Sequence, residues 1–324
     1  MLLSSETLFA SSALSDSLSK SRPVPLRQYI APRYWPVWLG VGFMWLVARL
    51  PFALQMRVGQ GIGWLGYWLA RERRHVCGVN LRLCFPELSE VERRRLIRRN
   101  FISSGIGLVE AVLTWTRYPH SYRERVRVTG LENLQQARAK GKGVLLVSAH
   151  FTTLEIGGFL LSLFEPFSVT YRPNRNPLLD ALILNGRLLH YNKVIPRHDV
   201  RPAIRSLKAG DILWYAPDQD YGPKHSVFAP FFGVPAATIT ATSRFVRATG
   251  AAVVFFSHYR NGDNSGYDLY FSEPLENYPS GDDEQDARRI NELIEAAISK
   301  QPEQYLWLHK RFKTYPASKE TGPY

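Results

Sequence analysis

The sequence predicts an α/β fold, a mostly parallel sheet flanked by helices, preceded by an N-terminal membrane-anchoring helical region. Three observations carry this reading. From about residue 126 onward, short apolar runs alternate with longer helical segments, the pattern of strand–helix units around a largely parallel sheet. Between Tyr34 and Ala70 the chain instead carries two apolar stretches rich in tryptophan and glycine. Charge divides at nearly the same place: residues 1–127 hold 19 Lys/Arg against 8 Asp/Glu, and residues 128–324 hold 22 against 20. With 324 residues and 45% hydrophobic content, the chain has ample material for a core.

Taken in order, residues 1–28 read as a disordered tail, serine-rich through residue 21 and without an apolar stretch of signal-peptide length. Residues 29–125 read as a helical membrane-anchor and basic region. Trp35, Trp38, Trp45, Trp64 and Trp68 are five of the eight tryptophans, and they share this region with most of the excess positive charge. Tryptophan, arginine and long apolar runs together favour an anionic lipid surface over nucleic acid, for which no zinc-finger or RNA-recognition signature is present. Tyr34–Ala48 is free of charge, Arg49 interrupts it, and Leu50–Leu54 continues it. The uninterrupted part is shorter than the roughly 20 residues that span hydrocarbon. The expectation is one anchoring helix near 34–54 plus an interfacial helix; a hairpin in one leaflet and a buried helix pair are the alternatives. Cys77 and Cys84, seven apart on one helical face, cannot bridge and read as packing residues of a reducing compartment. Ser89-Glu-Val-Glu92 is a capping box that opens a basic helix, suited to lipid phosphates or an acidic partner.

Residues 126–324 read as the α/β domain. Strands are expected at Val144–Ser148, Ser168–Tyr171, Ile212–Ala216, Ala251–Ser257 and Tyr267–Phe271. Helices are expected at 152–164, 177–191, 201–209, 237–249 and 283–300. Ligands of such folds gather at the carboxyl ends of strands. His150 stands at one such end and Asp218 at another. Glu155, five residues beyond His150, is expected to reach one imidazole nitrogen and leave the other free, as an oriented general base requires. His190, His198, His225 and His258 have no spacing that makes a metal site.

Several blocks then resemble the bacterial lipid A biosynthesis acyltransferases, and among them the lauroyltransferases. They are NLRLCFPELS (80–89), His150-x4-Glu155, YRPNRNPLLD (171–180), Asn185-Gly-Arg187, WYAPDQDYGPKHSVFAPFFG (214–233) and PEQYLWLHKRFKT (302–314). The wider lysophospholipid acyltransferase superfamily has an H-x4-D motif, from which Glu155 departs as it does in lauroyltransferases. The resemblance implies an inner-membrane enzyme with its catalytic side toward the cytoplasm. It would move an acyl chain, lauroyl by family inference, from acyl carrier protein to the 3-hydroxyacyl hydroxyl of a Kdo-bearing lipid A precursor. No metal or bound cofactor is implied. Arg187 and Asp218 match family positions implicated in the site; Arg172, Asn176, Lys224, Lys310 and Arg311 are candidates for substrate phosphates.

Deprotonating a hydroxyl suits His150 with Glu155 as partner. The chain has no Gly-x-Ser-x-Gly elbow and no cysteine in a nucleophile-like context, so direct attack is expected rather than an acyl-enzyme. A different acyl chain or glycolipid acceptor, a lipid thioesterase or hydrolase, and a non-enzymatic peripheral membrane protein are the competing readings.

Overall fold

The computed structural model describes residues 23–315 and 322–324. Most of the expected tail therefore lies outside the described residues, but its last part is docked. Val24 donates to Asn185 Oδ1 at 2.7 Å and accepts from Asn185 Nδ2 at 2.9 Å, and Leu26–Tyr29 forms a 3₁₀ turn.

Four helices follow: α1 (Trp35–Val47), α2 (Phe52–Leu69), α3 (Arg71–Cys84) and α4 (Glu90–Thr116). The single anchoring helix expected near 34–54 does not form. The chain turns between Ala48 and Pro51, where proline supplies no N–H and disfavours a helical conformation in the residue before it. The turn is held by polar contacts to freed carbonyls. Arg117 donates to the Ala48 carbonyl at 3.2 and 2.7 Å, and Gln55 to those of Ala48 and Leu50 at 3.1 and 2.7 Å. At 13 residues, α1 is roughly 20 Å long. No helix among the described residues is long and apolar enough to cross a membrane, which corrects the expectation of a transmembrane helix. The apolar residues are nonetheless presented outward: Leu39 is 75% exposed, Trp35 58%, Trp64 55% and Trp68 54%.

Where α2 meets α4, its buried side carries Gly59 and Gly63. A Cβ on Gly105 of α4 would sit 2.2 Å from the Gly63 nitrogen, and one on Gly59 2.6 Å from the Ile106 Cα, so the two helix backbones touch. Only glycine allows that approach. Gly105→Ala should destabilise the protein by about 1–3 kcal/mol through overpacking, read as a lower denaturant midpoint at unchanged slope. The capping box forms as expected. Glu92 N donates to Ser89 Oγ at 3.3 Å and Ser89 N to Glu92 Oε2 at 2.9 Å. Cys77 and Cys84 are free and buried on α3.

The α/β part runs β1 (Val126–Thr129), α5 (Leu131–Ala139), β2 (Val144–Val147), α6 (Leu154–Leu161), β3 (Ser168–Tyr171), α7 (Pro177–Leu188), β4 (Lys193–Pro196), α8 (Val200–Lys208) and β5 (Ile212–Tyr215). It continues through the hairpin β6 (Ser226–Phe231) and β7 (Val234–Ile239), then α9 (Ala241–Thr249), β8 (Ala252–Arg260), β9 (Tyr267–Phe271) and α10 (Asp283–Lys300). The sheet order is β1-β9-β8-β2-β5-β3-β4. All neighbours are parallel except the β8–β9 pair, so the predicted α/β class and mostly parallel sheet hold. The helix expected at 237–249 starts later, because β7 takes Val234–Ile239 into the hairpin.

Alternate residues of the central strands feed cores on opposite faces. Leu145, Val147, Leu213 and Val253 join one; Val144, Leu146, Ile212 and Val254 join the other. Burial on both faces is why these strands read as continuous apolar runs rather than as alternating ones. The register that matters for the site is Val147 opposite Tyr215 on β2 and β5. His150 and Asp218 each lie three residues beyond this matched pair and so leave the sheet side by side.

Candidate active site

His150 follows β2 on a short turn that is gripped by its backbone and side chains. Leu306 N donates to the His150 carbonyl at 2.9 Å, Phe151 forms an antiparallel bridge with Tyr305, and Thr152 N donates to the Gln304 carbonyl at 2.6 Å. Thr152 Oγ1 lies 2.7 Å from Ser103 Oγ of α4, and Thr153 Oγ1 lies 2.9 Å from His258 Nδ1 of β8. Behind the turn, Arg260 donates to both carboxylate oxygens of buried Glu110 at 2.7 and 2.6 Å and to Ser103 at 3.2 Å. The histidine thus stands on a turn tied to α4, to β8 and to the C-terminal segment.

The partner of the imidazole is Asp218, not Glu155. Nδ1 of His150 is 2.6 Å from Asp218 Oδ1, and the His150 backbone N–H donates to Asp218 Oδ2 at 3.0 Å. Asp218 is 1% exposed. Burial opposes its charge, but the adjoining imidazole, both hydrogen bonds from His150 and one from Tyr305 hold its carboxyl below the ordinary range. An ionised carboxylate only accepts, so Nδ1 carries the proton and Nε2 is the nitrogen left with a lone pair.

Glu155 turns elsewhere because it sits in the first turn of α6, facing α7. There it forms a two-point ion pair with Arg187: Nε to Oε2 at 3.2 Å, and Nη2 to Oε1. Burial disfavours the Arg187 charge, yet the Glu155 carboxylate keeps its pKa above the ordinary value.

His150 and the Glu155–Arg187 pair line one cavity of about 300 Å³ at the carboxyl ends of β2, β3 and β5. Its lining is divided by chemistry. Val169, Ile183, Tyr191 and Trp214 make an apolar part; Arg172, Asn174, Arg197, Gln219 and Tyr221 make a polar part. The cavity therefore gathers His150, Glu155, Arg187 and Arg172 of the expected residues, with Asp218 buried behind His150.

Four others, Lys224 among them, do not line the cavity. Asn176 caps α7, its Oδ1 accepting from Leu178 N and Leu179 N at 3.1 and 3.2 Å, so its side chain is committed to the helix. Arg311 is 1% exposed, donates to the Ala237 carbonyl at 2.8 Å and stacks on Phe231, which makes it a brace of the hairpin rather than a substrate contact. Lys310 lies outside the cavity, 3.5 Å from Glu72. Sequence reasoning missed Arg197, Tyr191 and Gln219, whose positions depend on which strands are neighbours.

Two histidines close to this region predict how stability follows pH. Burial pushes the His258 imidazole down to about 3 and, as the largest influence, His309 down to about 4. Unfolded, each would take up a proton near pH 6.5. Between that value and the folded pKa the unfolded chain binds more protons, so stability falls as pH drops from about 6.5 toward 4. The slope per histidine is at most about 1.4 kcal/mol per pH unit. Denaturant midpoints across this range, with His258→Asn expected to flatten the profile, check it.

An α/β sheet that presents an aspartate-paired imidazole beside a half-apolar cavity fits an enzyme that uses a general base on a partly apolar substrate. The comparisons specify it. The chain matches the model of the bacterial lipid A biosynthesis acyltransferases over residues 25–314. It is 43% identical to the lipid A biosynthesis lauroyltransferase of Escherichia coli, over 88% of this chain and 94% of that one. It is 40% identical to the palmitoleoyltransferase of the same organism, over 91% and 96%. A lipid A biosynthesis acyltransferase of Haemophilus influenzae is 37% identical, over 91% and 96%. The chain belongs to the bacterial lipid A biosynthesis acyltransferase family and is an O-acyltransferase.

Proposed function

We infer that the protein transfers a fatty acyl chain, lauroyl as first choice, from acyl carrier protein to the 3-hydroxyacyl hydroxyl of a Kdo-bearing lipid A precursor. The observation that carries the chemistry is the His150–Asp218 pair at the wall of the half-apolar cavity. An acceptor hydroxyl beside Nε2 gives its proton to His150 as its oxygen attacks the thioester carbonyl. Asp218 stabilises the imidazolium that forms. Collapse of the tetrahedral intermediate breaks the C–S bond, and the imidazolium returns the proton to the departing thiolate. Direct attack fits the cysteines: Cys77 and Cys84 are buried, neither lines the cavity, and burial pushes both thiols far above the range of a nucleophile.

The two Escherichia coli relatives, a lauroyltransferase and a palmitoleoyltransferase, differ by only three points in identity, so identity does not choose the donor. The choice belongs to the apolar wall of Val169, Ile183, Tyr191 and Trp214. We place the enzyme on the cytoplasmic face of the inner membrane, held by the outward tryptophans and leucines of α1 and α2 rather than by a span.

Mass spectrometry of lipid A from cells with and without the protein tests the function. One acyl chain gained only in its presence, with the mass increment naming the chain, is the expected result. Unchanged lipid A alongside released free fatty acid would favour a hydrolase.

A further inference from the structure

The construction that brings His150 and Asp218 together is repeated two strands away. Tyr171, the last residue of β3, is in register with Pro196, the last residue of β4. The next residue on each strand is an arginine, and Arg197 N donates to the Tyr171 carbonyl at 2.8 Å. Arg172 and Arg197 therefore leave the sheet side by side, and both line the cavity. Arg197 is held in place, its guanidinium 4.9 Å from the Tyr221 ring centroid.

The third arginine of the cavity, Arg187, is neutralised by Glu155. Among the described residues, Arg172 and Arg197 form no ion pair with any carboxylate. Two adjacent, uncompensated guanidiniums on the polar side of a half-apolar cavity fit a ligand with an anionic group at one end and an apolar chain at the other. Guanidinium forks match the oxygens of a phosphate two at a time, and a pair of them suits a phosphate better than a single carboxylate.

We propose that Arg172 and Arg197, the latter supported by Tyr221, form a phosphate-binding subsite for a substrate whose acyl chain occupies the apolar wall. This rests on the acyl-transfer reading, under which the phosphate has two sources: the pantetheine arm of the donor, or a sugar phosphate of the glycolipid acceptor. Both present the same chemistry to the two arginines.

Binding of small probes to the full-length protein separates these sources without relying on turnover. 4′-Phosphopantetheine is compared with pantetheine, and glucosamine 1-phosphate with glucosamine, by competition or calorimetry at low salt. The wild type should bind the phosphorylated member of one pair about tenfold more tightly. That pair identifies the source. Arg172→Gln combined with Arg197→Gln should abolish the preference, and the double lysine variant should retain part of it. No phosphate preference in either pair, or a preference that survives the double glutamine variant, overturns the subsite. Acyl transfer by the same wild-type preparation is followed separately. Its absence alongside an arginine-dependent phosphate preference would overturn the acyltransferase reaction assigned above and leave the subsite standing.

Discussion

Replacing His150 by alanine should lower kcat for acyl transfer by about 10²–10⁴-fold, the usual range for loss of a general base. The substitution removes the only imidazole that lines the cavity among the described residues and leaves the apolar wall intact. KM for the acyl donor should therefore change little. Protein level and membrane association should also persist, because His150 is partly exposed at 22% of its side chain and its main-chain contacts to Leu306 and Asp218 survive the change. Steady-state kinetics on purified protein check this. Activity within threefold of wild type would remove His150 from the mechanism.

The second large effect is expected at Asp218. Its two oxygens accept two different donors, the Nδ1–H and the backbone N–H of the same histidine. An asparagine has one acceptor oxygen and one amino group, so it can satisfy only one of these donors and opposes the other. The imidazole is then driven toward the tautomer with its proton on Nε2, which cannot accept from the acceptor hydroxyl. Asp218→Asn should lower kcat by about 10²–10⁴-fold with little change in KM. Glu155→Gln should behave differently. It leaves the Arg187 charge uncompensated in the cavity wall and should act through stability and substrate binding more than through the chemical step. A larger kcat loss for Glu155→Gln than for Asp218→Asn would restore Glu155 as the partner of the base.

The contrast between these two acids shows what the sequence could and could not disclose. The strand ending at His150 was legible because β2 is a short apolar run buried on both faces. Asp218 was legible as a strand-end residue by the same signal on β5. Their contact was not, since it depends on β2 and β5 being neighbours in a particular register, a long-range pairing that local periodicity does not encode. Glu155 was chosen as partner on spacing alone, and the first turn of α6 points it at Arg187 of α7, 32 residues further on. Arg311 misled for a related reason. A basic cluster reads as exposed, but the C-terminal segment threads under the β6–β7 hairpin and buries that one side chain on backbone carbonyl and ring. Asn176 reads equally well as ligand or cap, and the proline at the next position decides for the cap. In the helical region the composition correctly announced apolar helices. The break at Ala48–Pro51 then divides them into α1 and α2, neither of which is both long and apolar enough to cross a membrane.

The central claim is that Asp218 holds the His150 imidazole with its proton on Nδ1. Proton NMR of the protein labelled with ¹⁵N-histidine reads this directly, because a strongly hydrogen-bonded Nδ1–H resonates far downfield of the amide region and is correlated with its own nitrogen. A downfield Nδ1–H resonance is expected in the wild type, absent from His150→Ala, lost in Asp218→Asn and retained in Glu155→Gln. Its loss in Glu155→Gln with retention in Asp218→Asn would contradict the account.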